Sequence, residues 1–241
     1  MRSRAAKHAA ARCHHDAMRY TGLRHPPVSP PVAHRPLRSF PSRASALARG
    51  VMSQLVAVVL AAGLGKRMKS ASPKVLHPIA GRPLVHYPVA AALLSGADHA
   101  VVVVGRGREA VETYLGGAFG QRVSFATQSP QLGTGHAAMQ ALPLIPADAG
   151  YVVVVYGDTP LVVVDDLRRL CAAASATPGA PLAMLTCRVA APGGYGRILR
   201  DTNHRVIGVR EDRDLSEAER GLDEVNPGMY CMRADFLREG L

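Results

Sequence analysis

The pattern of hydrophobic and polar positions changes character near residue 54. Before it, apolar residues are scattered among Arg, His and Pro with no period to bury them. After it, short β-branched runs alternate with segments of helical length. The runs at 55–60, 100–104, 123–127, 151–156 and 182–189 are each too apolar for a sheet with one solvent-facing side, which predicts central strands of a parallel sheet. The stretches 84–95, 108–115, 135–142 and 164–175 read as the intervening helices. The last carries Asp165 and Asp166 in its first turn, where the helix dipole favours negative charge.

This alternation predicts an α/β fold with right-handed crossovers, a mostly parallel central sheet, helices on both faces, and a ligand crevice at the carboxyl ends of the strands. After residue 189 the pattern loosens into Pro192-Gly193-Gly194-Tyr195-Gly196-Arg197, a short strand pair around 205–209 and a charged stretch over 210–223. That region reads as a smaller, substrate-covering subdomain. No hexapeptide repeat of the β-helix kind occurs.

Composition sharpens the division at residue 54. The 241 residues are 48% hydrophobic and 20% charged, as suits one globular domain with an addition. The net charge of +11 is concentrated: residues 1–50 hold ten Lys or Arg against one acid, Asp16, leaving about +2 for the remainder. Residues 1–51 are therefore expected to be a disordered basic extension or a misassigned start ahead of Met52, with residues 52–241 as the folded domain. An Arg-rich, acid-poor start also fits a transit peptide, although its Pro and His density argues against one. A basic arm that engages nucleic acid is the alternative; the near-neutral balance of the rest gives the folded part no such partner. No apolar run approaches the roughly 20 residues of a bilayer span, which predicts a protein without a membrane partner. Cys13, Cys171, Cys187 and Cys231 form no C-x-x-C pair, as expected in a reduced cytoplasm.

The first strand runs into Leu60-Ala61-Ala62-Gly63-Leu64-Gly65-Lys66-Arg67-Met68, followed by Ser72-Pro73-Lys74. Gly63 and Gly65 let backbone N–H groups approach an anion, and Arg67 and Lys74 supply the positive charge that a phosphorus transition state requires. Taken alone, a Gly-x-Gly turn serves equally well as a tight strand-to-helix connection. The spacing is neither that of a P-loop nor that of a dinucleotide fingerprint. Asp158 follows the run 151–156, so its carboxylate is placed to face the crevice or to cap a helix. His77 and His136 are read as structural, because a phosphate nucleophile is already ionised at neutral pH and needs no base.

The loop L-A-A-G-x-G-x-R-M followed by Pro73-Lys74 resembles the signature of the sugar-nucleotide pyrophosphorylases. Pro73-Lys74-Val75-Leu76-His77, Gln131-Leu132-Gly133-Thr134-Gly135-His136-Ala137 and Tyr156-Gly157-Asp158-Thr159-Pro160-Leu161 are similar to the bacterial N-acetylglucosamine-1-phosphate uridylyltransferases in particular. The resemblance extends from Val56 to about Met232. It implies a Rossmann-like nucleotidyltransferase fold and the formation of UDP-N-acetylglucosamine and pyrophosphate from UTP and N-acetylglucosamine 1-phosphate, for cell-wall precursors. By the same resemblance Leu60, Ala61 and Gly63 contact the uridine end, and Arg67 and Lys74 act on the phosphates as catalytic residues. Gln128, Gly133 and Thr134 read the uracil, Asp158 holds Mg2+, and Gly196, Glu211 and Asn226 bind the amino sugar.

Three departures stand out against that family. Lys66 stands where Thr is more usual, and Pro227 replaces a Thr after the sugar-binding Asn, removing a hydroxyl and an N–H. The family's second magnesium ligand, an Asn, and the acetyltransferase half through which it trimerises have no counterpart before Leu241. The resemblance thus implies a domain truncated at its C-terminus that binds UTP and turns over slowly. The alternatives are another sugar-1-phosphate nucleotidyltransferase, such as a thymidylyltransferase, or a non-catalytic nucleotide-binding fragment.

Overall fold

The computed structural model describes residues 54–241 apart from 64, 66, 67, 69, 71, 177 and 178. The expectation for residues 1–51 therefore lies outside the described residues. In chain order the elements are β1 (Leu55–Leu60), β2 (Pro78–Ile79), β3 (Arg82–Pro83), α1 (His86–Ser95), β4 (His99–Val104), α2 (Arg108–Phe119), β5 (Val123–Thr127), α3 (Thr134–Ala141), β6 (Tyr151–Tyr156) and α4 (Val164–Ala176). They continue with β7 (Leu182–Met184), β8 (Cys187–Arg188), β9 (Gly196–Arg200), β10 (Val206–Arg210), β11 (Glu224–Asn226), β12 (Tyr230–Arg233) and α5 (Ala234–Gly240).

Six strands form the central sheet in the order β5-β4-β1-β6-β12-β7, and the first four of these run parallel. Their side chains divide strictly by parity. Leu55, Ala57 and Val59 of β1 face one apolar cluster with α1, α2 and α4, while Val56 and Val58 face a second with α3 and α5. Val101 and Val103 of β4 and Val152 and Val154 of β6 join the second cluster, whereas Val102, Val104, Val153 and Val155 join the first. A strand flanked by helices on both faces must be apolar at every position, which is why these runs were readable. Among the described residues no helix is long and apolar enough to cross a membrane.

One strand assignment is corrected. The apolar run 182–189 is not a central parallel strand: it splits into β7, antiparallel to β12 at the sheet edge, and β8, which belongs to a separate four-stranded sheet ordered β10-β9-β11-β8. The chain changes sheets at Leu185 and Thr186. The Leu185 N–H donates to the Met229 carbonyl (3.0 Å) and the Thr186 hydroxyl to Glu224 Oε1 (2.7 Å), so the break is held from both sides. The second sheet is pinned by Glu224, which accepts from Arg200 Nη2 at 2.6 Å and Nε at 2.8 Å; these bonds hold its carboxyl down at about 2.

His86, at the start of α1, is buried between two fixed partners. A guanidinium only donates, so Arg82 Nη1, 2.6 Å away, makes His86 Nε2 an acceptor, and the ring proton on Nδ1 faces the Tyr114 hydroxyl at 3.0 Å. Burial and then the Arg82 charge push this imidazole below its ordinary value, and burial does the same to His99. Below about pH 6.5 the unfolded chain binds protons that these native imidazoles refuse, so stability falls with pH from there down to their depressed values. Urea unfolding of the chain between pH 7.5 and 5.5 should therefore show a falling midpoint, and the fall should be smaller in His86→Asn, which cannot titrate.

Candidate functional site

The site forms along the carboxyl ends of the parallel strands, with residues that follow β1, β5 and β6, as expected of a parallel sheet. The Gly157 N–H donates to the Leu60 carbonyl (2.9 Å), which lays the loop after β6 directly on the loop after β1. A Cβ at Gly157 would sit 2.9 Å from the Ala61 Cβ, so no other residue permits this approach without a shift. Gly65 is constrained twice. Its φ of 57° lies in the left-handed region, and a Cβ there would meet the Lys74 Cβ at 2.9 Å. The two loops enclose a cavity of about 540 Å³.

Leu60, Ala61, Gly63 and Lys74 line the cavity from the β1 side. Gln128, Gly133 and Thr134 line it from the turn between β5 and α3, and Asp158 from the end of β6. Eight predicted positions thus share one wall, although they span about a hundred residues of sequence. Gly196, Glu211 and Asn226 are not on that wall but do come together. Asn226 pairs with Gly196 across β11 and β9, and a Cβ on Gly196 would lie 3.6 Å from Glu211 Oε1. Arg67 and Lys66 lie outside the described residues.

At the centre of the cavity Lys74 Nζ contacts Asp158 Oδ2 at 2.6 Å, with both side chains more than a third exposed. An ion pair this open to solvent is worth on the order of 0–1 kcal/mol, so a ligand can claim either partner at little cost. Asp158 is a hard oxygen donor of the kind divalent cations prefer. No group of three or more His, Cys, Asp or Glu that could cage a metal occurs among the described residues, so an ion here would take most of its ligands from water or phosphate.

Two residues of the cavity wall, Tyr156 and Gln131, were given no role by the sequence, and His136 was given only a structural one. Tyr156 lines the cavity at the last position of β6; burial, and next the neighbouring Tyr230, push its phenol up, with Thr134, Asp158 and Glu211 also close enough to influence it. Its place immediately before Gly157-Asp158 was the available signal. Gln131 holds the floor by donating to the Ala62 carbonyl (3.2 Å). His136, read as structural, bonds directly to Gln128.

Behind the sugar-side residues stands Arg197, nearly fully buried. Its guanidinium donates to the carbonyls of Leu222 (3.1 Å), Pro192 (2.8 Å) and Tyr195 and to Asp212 Oδ1 (3.2 Å). It thereby ties three loops around Gly196 and Glu211.

Gly157→Ala should leave the fold intact while forcing the two strand-end loops apart. Overpacking of this kind costs about 1–3 kcal/mol. A lowered urea midpoint together with weaker nucleotide binding is the expected result, and an unchanged midpoint would remove the steric argument.

The chain matches the sequence pattern of the MobA-like NTP transferase domain over residues 57–222. It is 51% identical over 190 residues to the bifunctional protein GlmU of Sorangium cellulosum, covering 78% of this chain and 40% of that protein. It is 50% identical over 184 residues to the bifunctional protein GlmU of Aromatoleum aromaticum, covering 76% of this chain and 39% of the relative. It thus spans about 40% of the length of these curated relatives. Two solved structures share the fold. CMP:2-keto-3-deoxy-manno-octonic acid synthetase complexed with CTP aligns with a TM-score of 0.60 at 21% identity, covering 78% of this chain and 77% of that one. UDP-glucose pyrophosphorylase complexed with UDP-glucose aligns with a TM-score of 0.60 at 20% identity, covering 78% of each. With its α/β sheet, its strand-end cavity and a match over most of its folded length, the chain belongs to the MobA-like NTP transferase domain family.

Proposed function

We propose that this chain is a uridylyltransferase that makes UDP-N-acetylglucosamine and pyrophosphate from UTP and N-acetylglucosamine 1-phosphate, with residues 52–241 as its nucleotidyltransferase unit. The observation that carries this reading is the convergence of Lys74, Asp158 and Gln128 on one cavity, a cation, a hard anion and a base-reading amide in a single crevice. The motif resemblance names the nucleotide and the sugar. The identity of about half to proteins called GlmU and the shared fold with a pyrophosphorylase solved with UDP-glucose support it.

In the reaction a phosphate oxygen of the sugar phosphate attacks the α-phosphorus of UTP, and the bond from that phosphorus to the bridging oxygen of the β-phosphate breaks. Pyrophosphate leaves with the electron pair. The nucleophile is already an anion, so the protein's task is placement and charge rather than proton removal. The loop at Gly63 and Gly65 offers backbone N–H groups, and Lys74, once its partner Asp158 is engaged elsewhere, is free to hold triphosphate oxygens. Arg67 is assigned to the same charge by the motif. Asp158 would hold magnesium, which would supply positive charge to offset that of the phosphates. Gly196, Glu211 and Asn226 form the amino-sugar end, with Tyr156 between that end and the nucleotide.

Calorimetric titration should show UTP binding more tightly than ATP or GTP, and equal affinity for the three would refute the base assignment. Pyrophosphate should be released from UTP and N-acetylglucosamine 1-phosphate. Removing the ammonium in Lys74→Gln should lower that rate by about 10²-fold or more, as losing one transition-state contact does elsewhere.

A further inference from the structure

Gln128 is 4% exposed, yet it borders the cavity. Its backbone N–H continues the sheet by donating to the Val104 carbonyl (2.8 Å), which fixes where the side chain starts. The amide nitrogen Nε2 lies 2.9 Å from the Gly133 carbonyl oxygen and 3.1 Å from His136 Nδ1. A carbonyl only accepts, so the nitrogen must point toward Gly133, and the orientation of the amide is settled by chemistry. One amide hydrogen goes to Gly133. The other goes to His136 Nδ1, which must therefore be the unprotonated nitrogen. The ring proton then sits on Nε2; the Gln140 amide nitrogen, 3.3 Å from it, donates instead to the His136 carbonyl (3.3 Å), so the shorter contact from the buried Gln128 decides the tautomer.

This arrangement spends both donors of Gln128. What remains is the acceptor Oε1, to which no described residue donates, and which is not among the sealed, unpartnered polar atoms of the protein. It is open to the cavity that Gln128 borders. An amide held in this way shows an incoming base a lone pair and no hydrogen. Uracil presents an N–H at N3, whereas cytosine presents a lone pair there, so one base bonds and the other repels.

We infer that His136 is a positioning residue for base selection: by accepting the second amide hydrogen of Gln128 it leaves only an acceptor facing the nucleotide, which admits uracil and rejects cytosine. The inference rests on the uridine reading of the cavity given above. Without His136 the amide keeps one hydrogen unspent, and rotation can offer that hydrogen to cytosine N3. The histidine that lacks a role as a base in the reaction acquires one in choosing the substrate.

The test is a comparison of UTP and CTP affinities in the 241-residue chain. The native chain should favour UTP by about tenfold, the scale of one hydrogen bond exchanged for an unpaired acceptor. His136→Ala should shrink that preference to within about twofold, while His136→Asn, whose Oδ1 can stand in for Nδ1, should restore most of it. A purely structural histidine would weaken both nucleotides alike in the Ala variant and leave their ratio unchanged, and that result overturns the inference alone. A native chain that binds CTP as tightly as UTP would instead overturn the uridine reading and the inference with it. Should the variants fail to fold, imidazole 15N spectra of the native chain decide the matter: an Nδ1–H tautomer at His136 rules the inference out, and an unprotonated Nδ1 upholds it.

Discussion

Gly157 lies against Leu60 and Ala61 with a backbone hydrogen bond and no room for a side chain, and the rest of the site depends on that contact. It sets the separation of two strand-end loops that come from β1 and β6, neighbours in space but about a hundred residues apart in sequence. Lys74 arrives on one loop and Asp158 on the other, and their 2.6 Å meeting follows from the backbone spacing. The parallel sheet underneath is buried on both faces and therefore stiff, so the loops inherit a fixed distance.

Parts of the molecule that obey a single burial rule were legible in the sequence. The bounds of β1 and β6 are those of the apolar runs, because a central strand between two helical layers has no polar position to blur its edges, and those of β5 agree although Ser124 and Thr127 make it less uniformly apolar. The run 182–189 misled for a related reason. Two short half-buried strands in different sheets abut there, and hydrophobicity alone carries no mark of a change of partner. Thr186 and Arg188, polar within the run, hinted at the break, and Thr186 is bonded to Glu224 there.

The candidate site was legible in proportion to how much of it lies in contiguous motifs. Lys74, Gln128, Gly133, Thr134 and Asp158 each sit in a short run at the end of a strand, and all reach the cavity wall. Gly196 and Asn226 are paired strand-end residues of the smaller sheet and Glu211 follows β10, while the loops around them are tied by Arg197, a buried cation whose partners are mostly backbone carbonyls. Carbonyls are the same in every residue, so such a keystone leaves no pattern to read. His136 was visible as a residue, but its meaning lay in a tautomer, which only its partners disclose.

The placement of β12 has a consequence for how the chain acquires its shape. It enters the sheet between β6 and β7, antiparallel to both, with Tyr230 beside Val154. During synthesis from the N-terminus, β1, β4, β5 and β6 can pair as soon as they emerge, while the outer edge of β6 stays open until residues 230–233 are made. That edge is four valines long, apolar and unprotected in the interval, the kind of surface on which one nascent chain adds to another. The late strand is thus a seal as well as a structural member, and the interval before it arrives is when this fold is most exposed to aggregation.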